Sequence, residues 1–404
     1  MAVEGIGLAV RAPARVRPRY AALAGMAGNL VSIGLARFAY TPLIPALIGA
    51  GWFSAGDTVA LGAANFAGYL AGALFGRAIA AGFGNRATLR FMMVLASAAF
   101  FACAEPVSLT WFFLWRFASG LAGGVIMVLV ASTVLPHVAP ARRGTVSGVI
   151  FLGLGLGIVA AGTLVPFLLR FGLGQTWIGL GVLSGALTAF AWFGWPAGPP
   201  PVSADDVPTA STLPHNRGLR LLYVEYGMTG LGLVPTMVLL VDYVARGLGR
   251  GAELGSLTWV SFGVGATLGP VVCGRIGDRF GFGPAYRVAF LLAAGGSAVL
   301  ALSTDLAAIA AAAALMGALT PGTVTLMLGR LTERLPGDPG EQRAAWSRAT
   351  SAFALVQALA GYGYALLFTA SGEDYALIFA LGSAALVAGF LADFLPGGRW
   401  RGEA

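Results

Sequence analysis

The sequence predicts an all-α membrane protein with twelve transmembrane helices in two pseudo-symmetric six-helix halves. Three observations predict it. Twelve apolar runs are each long enough to cross a bilayer, arginines gather in alternate gaps between them, and short strings recur about half a chain apart. Composition agrees. Of 404 residues, 57% are hydrophobic and only 10% charged, against about 25% charged in a soluble domain. So few charges cannot cover a soluble surface of this size, and a mean hydropathy of +0.81 points the same way. A chain this apolar is not disordered either. Its 60 glycines follow no Gly-X-Y period and suit close-packed membrane helices.

A spanning helix needs about 20 mostly apolar residues, because the hydrocarbon core is about 30 Å thick and each residue rises about 1.5 Å. The first half offers runs at 20–48, 57–82, 88–104, 108–135, 145–169 and 176–196. The second offers 218–244, 253–276, 286–303, 306–333, 347–370 and 375–395. The first run is too long for a secretory signal and lacks a small-residue cleavage site, so it is expected to remain as a span.

All 25 basic residues are arginine, and the formal charge is +8. A nucleic-acid binder would gather such charge on one folded face; here it falls in short gaps and reads as topology. With the N-terminus inside, the inside segments hold 20 arginines. The outside loops hold three, Arg170, Arg246 and Arg250, while Arg37 and Arg116 fall within spans. That asymmetry places both termini in the cytoplasm. Between runs six and seven, Ala197–Arg217 carries five prolines and Asp205 and Asp206, which reads as a cytoplasmic linker. It divides the chain into halves 1–196 and 218–404. Gly76-Arg77 and Gly274-Arg275 end the second and eighth runs 198 residues apart. Arg143-Gly144-Thr145 and Arg348-Ala349-Thr350 open the fifth and eleventh 205 apart. Two related six-span halves form a transporter architecture.

Ionisable groups within spans are costly and mark function. Arg37, Arg116 and Glu225 lie in spans 1, 4 and 7, the first helices of successive three-helix units that would line a central cavity. Arg37 suits an anionic group in a water-filled cavity; the alternative is an arginine that caps carbonyls. Arg116 suits a coupling role or a structural hydrogen-bond hub. Glu225 is a candidate proton acceptor, or a carboxylate near enough to the interface to stay hydrated. Weaker polar candidates for substrate contact are Asn29, Tyr40 and Thr41 in span 1, Asn65 in span 2, Thr236 in span 7 and Gln357 in span 11; each is more often a bond that ties helices together. Asp242 and Arg246, four residues apart, read as a local ion pair. Pro42, Pro45, Pro235 and Pro321 interrupt spans 1, 7 and 10, where neighbours or water must satisfy freed carbonyls.

Other chemistry lacks material. Cys103 and Cys273 lie in apolar runs, and His137 and His215 in polar connections, so no disulfide framework, metal site or histidine triad is expected. An intramembrane enzyme would need a converging nucleophile and base. No G-x-x-x-x-G-K-[ST] loop suggests ATP coupling. Met228 and Met237 are nine apart, without the M-x-x-x-M spacing that would suit Cu(I).

Gly274-x-x-x-Asp278-Arg279-x-Gly281 resembles the signature loop of the major facilitator superfamily (MFS), which implies a conformational latch at Gly274, Asp278, Arg279 and Gly281. In the first-half counterpart, Ala80 and Ala81 replace the charged pair. Arg116-x-x-x-Gly120 resembles the superfamily's fourth-helix motif. The span 1 string Gly34-Leu-Ala-Arg37-Phe-Ala-Tyr40-Thr41-Pro42-Leu-Ile-Pro45, with Gly62-Ala-Ala-Asn65-Phe-Ala-Gly68-Tyr69-Leu70, is similar to the YbfB/YjiJ-type MFS family of bacterial inner-membrane proteins. The resemblance covers essentially the whole chain. It implies a secondary transporter working by alternating access; Glu225 points to proton coupling, and no cofactor is expected. A small organic anion is the favoured substrate. Proton-antiport efflux of amphipathic compounds is the alternative, followed by copper import or a non-transporting receptor. Expected partners are the substrate, protons and membrane lipids, with the chain as a monomer and no nucleic acid.

Overall fold

The structure, a computed structural model, describes residues 17–197, 217–335 and 339–395. The interior of the expected linker, and Arg11, Arg15, Arg399 and Arg401, lie outside the described residues. Among the described residues twelve long helices follow in order. They are α1 Pro18–Gly49, α2 Ala55–Phe83, α3 Asn85–Ala102, α4 Leu109–Val134, α5 Arg143–Leu169 and α6 Leu173–Ala191, then α7 Arg217–Gly247, α8 Gly251–Phe280, α9 Phe282–Leu302, α10 Leu306–Arg334, α11 Pro339–Ala370 and α12 Tyr375–Ala392.

Each predicted run falls on one helix. Eleven of the helices are long and apolar enough to cross a membrane. The twelfth, α3, has 18 residues and carries Asn85, Arg86 and Arg90 in its first turns, which lower its hydropathy. The largest boundary difference is at α11. The helix begins eight residues before the predicted run because Glu341 and Gln342 are good helix formers that a hydropathy reading excludes.

The helices alternate in direction. One end of the bundle, here the arginine-rich end, gathers the starts of odd-numbered helices and the ends of even-numbered ones. There Tyr20 of α1 donates to the Phe190 carbonyl of α6, and Arg334 of α10 to the Gly218 carbonyl of α7. At the opposite end Ser54, Ser108, Asp305 and Asp374 cap α2, α4, α10 and α12 by accepting from backbone N–H groups.

The internal repeat is visible in the packing. In the first half α1 lies on α5, α2 on α4, and α3 on α4 and α6. In the second α7 lies on α11, α8 on α10, and α9 on α10 and α12. The α2–α4 crossing recurs residue by residue. A Cβ at Gly68, Gly72 or Gly120 would run into the carbonyls of Phe117, Leu121 and Asn65; at Gly265, Gly269 or Gly317 it would meet those of Ala314, Ala318 and Phe262. Each pair is 197 residues apart. The two halves meet along α5–α8 and α2–α11, and through the outer segment Tyr40–Gly49 of α1 on α7.

Two helices lose their regular ladder. α1 widens into a π-helical stretch at Leu30–Leu35, turns irregularly through residues 36–39 and resumes at Tyr40. Pro42 and Pro45 lack the N–H groups that the Phe38 and Thr41 carbonyls would need. α7 carries Pro235 and ends in a π-helical stretch, Tyr243–Gly247. Such wide turns recur at functional sites.

Candidate functional site

Arg37 sits in the break of α1, facing the second half. Its Nη2 donates to Gln357 Oε1 of α11 at 2.7 Å, and Gln357 Nε2 lies 3.8 Å from Met237 Sδ of α7. The guanidinium lies over the rings of Phe66 (4.5 Å) and Tyr69 (5.3 Å) of α2. Its Nε is buried without a partner. Among the described residues it pairs with no carboxylate.

Arg116 of α4 is buried, with Nη1 donating to the Ala36 carbonyl at the α1 break (2.6 Å) and the guanidinium 4.1 Å from the centre of the Tyr40 ring. It too has no carboxylate partner among the described residues. Tyr40 donates to the Thr58 carbonyl at 2.7 Å. Asn29 donates to the Ile150 carbonyl and Asn65 to Ser119 Oγ, tying α1 to α5 and α2 to α4. Thr236 is fully buried and its hydroxyl has no partner. The structure therefore brings Arg37 and Gln357 together across the halves, places Tyr40 under Arg116, and sets Asn29 and Asn65 in helix–helix contacts.

Glu225 lies elsewhere, near the arginine-rich end of the second half. Its Oε2 accepts from Arg330 Nη1 of α10 at 2.7 Å, while its Oε1 is buried without a partner. Arg330 also pairs with Asp393, just past α12, and Asp393 with Arg287 of α9. Tyr286 and Thr229 share a hydrogen bond beside them (3.1 Å). Sequence reasoning counted Arg330 among interfacial arginines, because it lies four residues from the end of α10; it is 2% exposed. The signal was present, since α10 completes the series 1, 4 and 7 on which the other buried charges lie. Asp393 follows the last apolar run and gave no such signal.

Asp242 and Arg246 pair at 2.8 Å, as their spacing suggests. Tyr375 also donates to Asp242 (2.7 Å), and Glu373 pairs with Arg246. In the loop between α8 and α9, Asp278 and Arg279 are exposed, and neither makes an ion pair among the described residues. Gly281 has φ of 86°, which favours glycine. A Cβ at Gly274 would make only ordinary contact with Thr325 (3.6 Å). The loop is instead held by Glu333, whose Oε1 accepts from Phe282 N at 3.0 Å.

Contacts between the halves gather toward the opposite end. Thr41 donates to the Met237 carbonyl at 2.6 Å, Gly56 lies against Thr369, and Arg170 pairs with Glu253 at 3.2 Å. On the arginine-rich side of Arg37 the aromatic residues Tyr69, Trp346 and Phe353 are only partly buried, and Phe353 stacks on Tyr226 (4.7 Å). On the other side Tyr40, Leu43 and Leu240 are buried. The inner segment of α1, Pro18–Asn29, packs on α4, α5 and α6 of its own half. Partly exposed aromatic side chains thus lie on the arginine-rich side of Arg37, and buried side chains lie beyond it.

The profile of the family described as "Uncharacterised MFS-type transporter YbfB" matches residues 29–394. The chain belongs to this family. It is a multi-pass membrane transporter of the major facilitator superfamily that moves a small molecule, and not an enzyme. Two solved structures share its fold. A crystal structure of a D-xylose–proton symporter superposes with a TM-score of 0.73 at 15% identity, covering 95% of this chain and 98% of that one. A partially occluded, inward-open xylose transporter XylE from E. coli gives 0.72 at 15% identity, covering 94% and 98%. No curated protein sequence matches the chain.

Proposed function

We propose that this transporter carries a small organic anion, coupled to protons, by alternating access between its halves. The observation that carries the reading is Arg37, a partly buried cation with no carboxylate partner among the described residues, hydrogen-bonded across the halves to the neutral Gln357. An anion reaching Arg37 from the arginine-rich side would supply the missing charge. Charge-assisted bonds to guanidinium contribute about 1.5–3 kcal/mol, or roughly 10–150-fold in affinity. Arginine placement supports a bacterial inner-membrane orientation with both termini cytoplasmic. Contacts gathered at the opposite end then correspond to a state open toward the cytoplasm.

Glu225 is the proton site in this reading. It faces Arg330, Asp393 and Tyr286, with Arg334 nearby. Proton uptake on it would release Arg330 and loosen α7 from α10. Efflux of amphipathic compounds is the second reading, favoured by the aromatic wall of Phe66, Tyr69, Tyr226 and Phe353. The test is a thermal-shift screen of purified protein against organic anions and lipophilic cations at pH 5.5 and 7.5. An anion that raises Tm in the parent but not in Arg37→Ala supports the reading. Shifts only with cations, untouched by Arg37→Ala, sink it in favour of efflux. Transport that keeps its pH dependence in Glu225→Gln removes Glu225 from coupling.

A further inference from the structure

A groove of about 560 Å³ runs down the membrane-facing side of the first half, between α3 and α6. Its α3 wall is Val94, Ala98 and Phe101; Gly185 and Ala189 of α6, with Trp192 just past it, form the other wall. Ser97 and Thr188 bond to each other at 3.1 Å on its floor, so the lining is apolar to an occupant. Arg90 lies on the same α3 face, one turn before Val94. From Arg90 to Phe101 is eleven residues, about 17 Å of helix. That is little more than half of the ~30 Å hydrocarbon core, the depth of one leaflet.

The head of the groove is charged. Arg90 Nε donates to the Trp192 carbonyl at 2.8 Å, and its guanidinium lies 4.7 Å from the centre of a Trp192 ring. Arg86, one turn earlier on α3, has a buried Nε without a partner. Neither arginine pairs with a carboxylate among the described residues.

The second half shows what this position otherwise contains. Gly84 and Gly281 adopt nearly the same backbone angles, φ 78° ψ 146° and φ 86° ψ 146°. Arg90 and Arg287 each follow six residues later. Trp192 and Asp393 are each the first residue past α6 and α12. Arg287 pairs with Asp393. The first half keeps the arginine, adds Arg86, and replaces the acid by a tryptophan, a residue enriched at membrane interfaces.

We propose that the α3–α6 groove binds an anionic glycerophospholipid of the leaflet at the arginine-rich end. Its phosphate sits on Arg86 and Arg90, its backbone lies beside Trp192, and an acyl chain fills the groove. The lipid supplies the counterion that Asp393 supplies in the other half.

The full chain, purified in neutral detergent, is unfolded thermally with dioleoyl phosphatidylglycerol, dioleoyl phosphatidylcholine or soluble glycerophosphate. Phosphatidylglycerol is expected to raise Tm above the other two in a saturable way. Trp192→Asp, which places an acid where Asp393 stands in the second half, is expected to abolish that advantage while keeping Tm in phosphatidylcholine. Gly185→Leu, which fills the groove and leaves both arginines, is expected to abolish it as well. Arg275→Gln, a change of an exposed arginine at the same end, is expected to leave it intact. Equal shifts with both lipids, an equal shift with glycerophosphate, or an advantage that survives both Trp192→Asp and Gly185→Leu would overturn the proposal.

Discussion

In α1–α6 the partly buried Arg37 and the buried Arg116 meet no acid among the described residues, whereas in the second half Arg330 and Arg287 share Glu225 and Asp393. The backbones are near copies, with crossings repeated at 197 residues, so the difference lies in side chains placed on one scaffold. A buried charge costs several kcal/mol unless paired. The second half meets that cost internally and gains a cluster that ties α7, α9, α10 and the end of α12 together. The first half's cations meet only a neutral amide from α11, a carbonyl and ring faces, which stabilise a guanidinium less than a carboxylate does. A site left short of negative charge is one an anion can complete. The same contrast recurs at Arg90 and Arg287, one facing a tryptophan and the other an aspartate.

The largest expected effect comes from breaking the paired half. Arg330→Met strands Glu225 in a buried site and removes one of the two cations on Asp393. Losing one partner of a buried pair costs about 3–5 kcal/mol, read as a lowered Tm in detergent. The double variant Glu225→Leu with Arg330→Met removes both charges and is expected to recover most of that loss, since apolar replacement of a buried pair is often neutral. A double variant no more stable than the single one would mean that the cluster does not act as a unit.

The matching change in the first half should behave differently. Arg37→Met strands no acid and leaves only Gln357 to find a new partner. Its cost in stability is expected to stay within about 1 kcal/mol, while response to an anionic ligand is lost. A Tm loss as large as that of Arg330→Met would make Arg37 a structural residue and erase the contrast between the halves.

Most of the fold was legible because hydrophobic length and arginine placement are read one helix at a time. The break in α1 was foreshadowed by Pro42 and Pro45. Arg37, Arg116 and Glu225 stood out because a charge inside an apolar run is rare. What they touch was not legible. Gln357 is 320 residues from Arg37, and Glu225 meets Arg330 rather than either cation of the first half. Arg330 and Asp393 were hidden by their place near helix ends, where charges ordinarily face water; here α7, α9 and α12 close over them. Asn65 was noticed for its polarity, yet its amide serves α4.

The smallest expected effect tests where the site ends. Thr236 is fully buried on α7 with a hydroxyl that reaches no partner, next to Pro235 and one residue before Met237. Thr236→Val keeps the shape and removes a group that makes no bond in this state. Stability is expected to hold or rise slightly, since the buried hydroxyl makes no bond, and affinity for the transported ligand not to change. A tenfold loss of affinity with unchanged Tm would show that the hydroxyl meets substrate in another state of the cycle. The binding site would then extend from α1 and α11 onto α7.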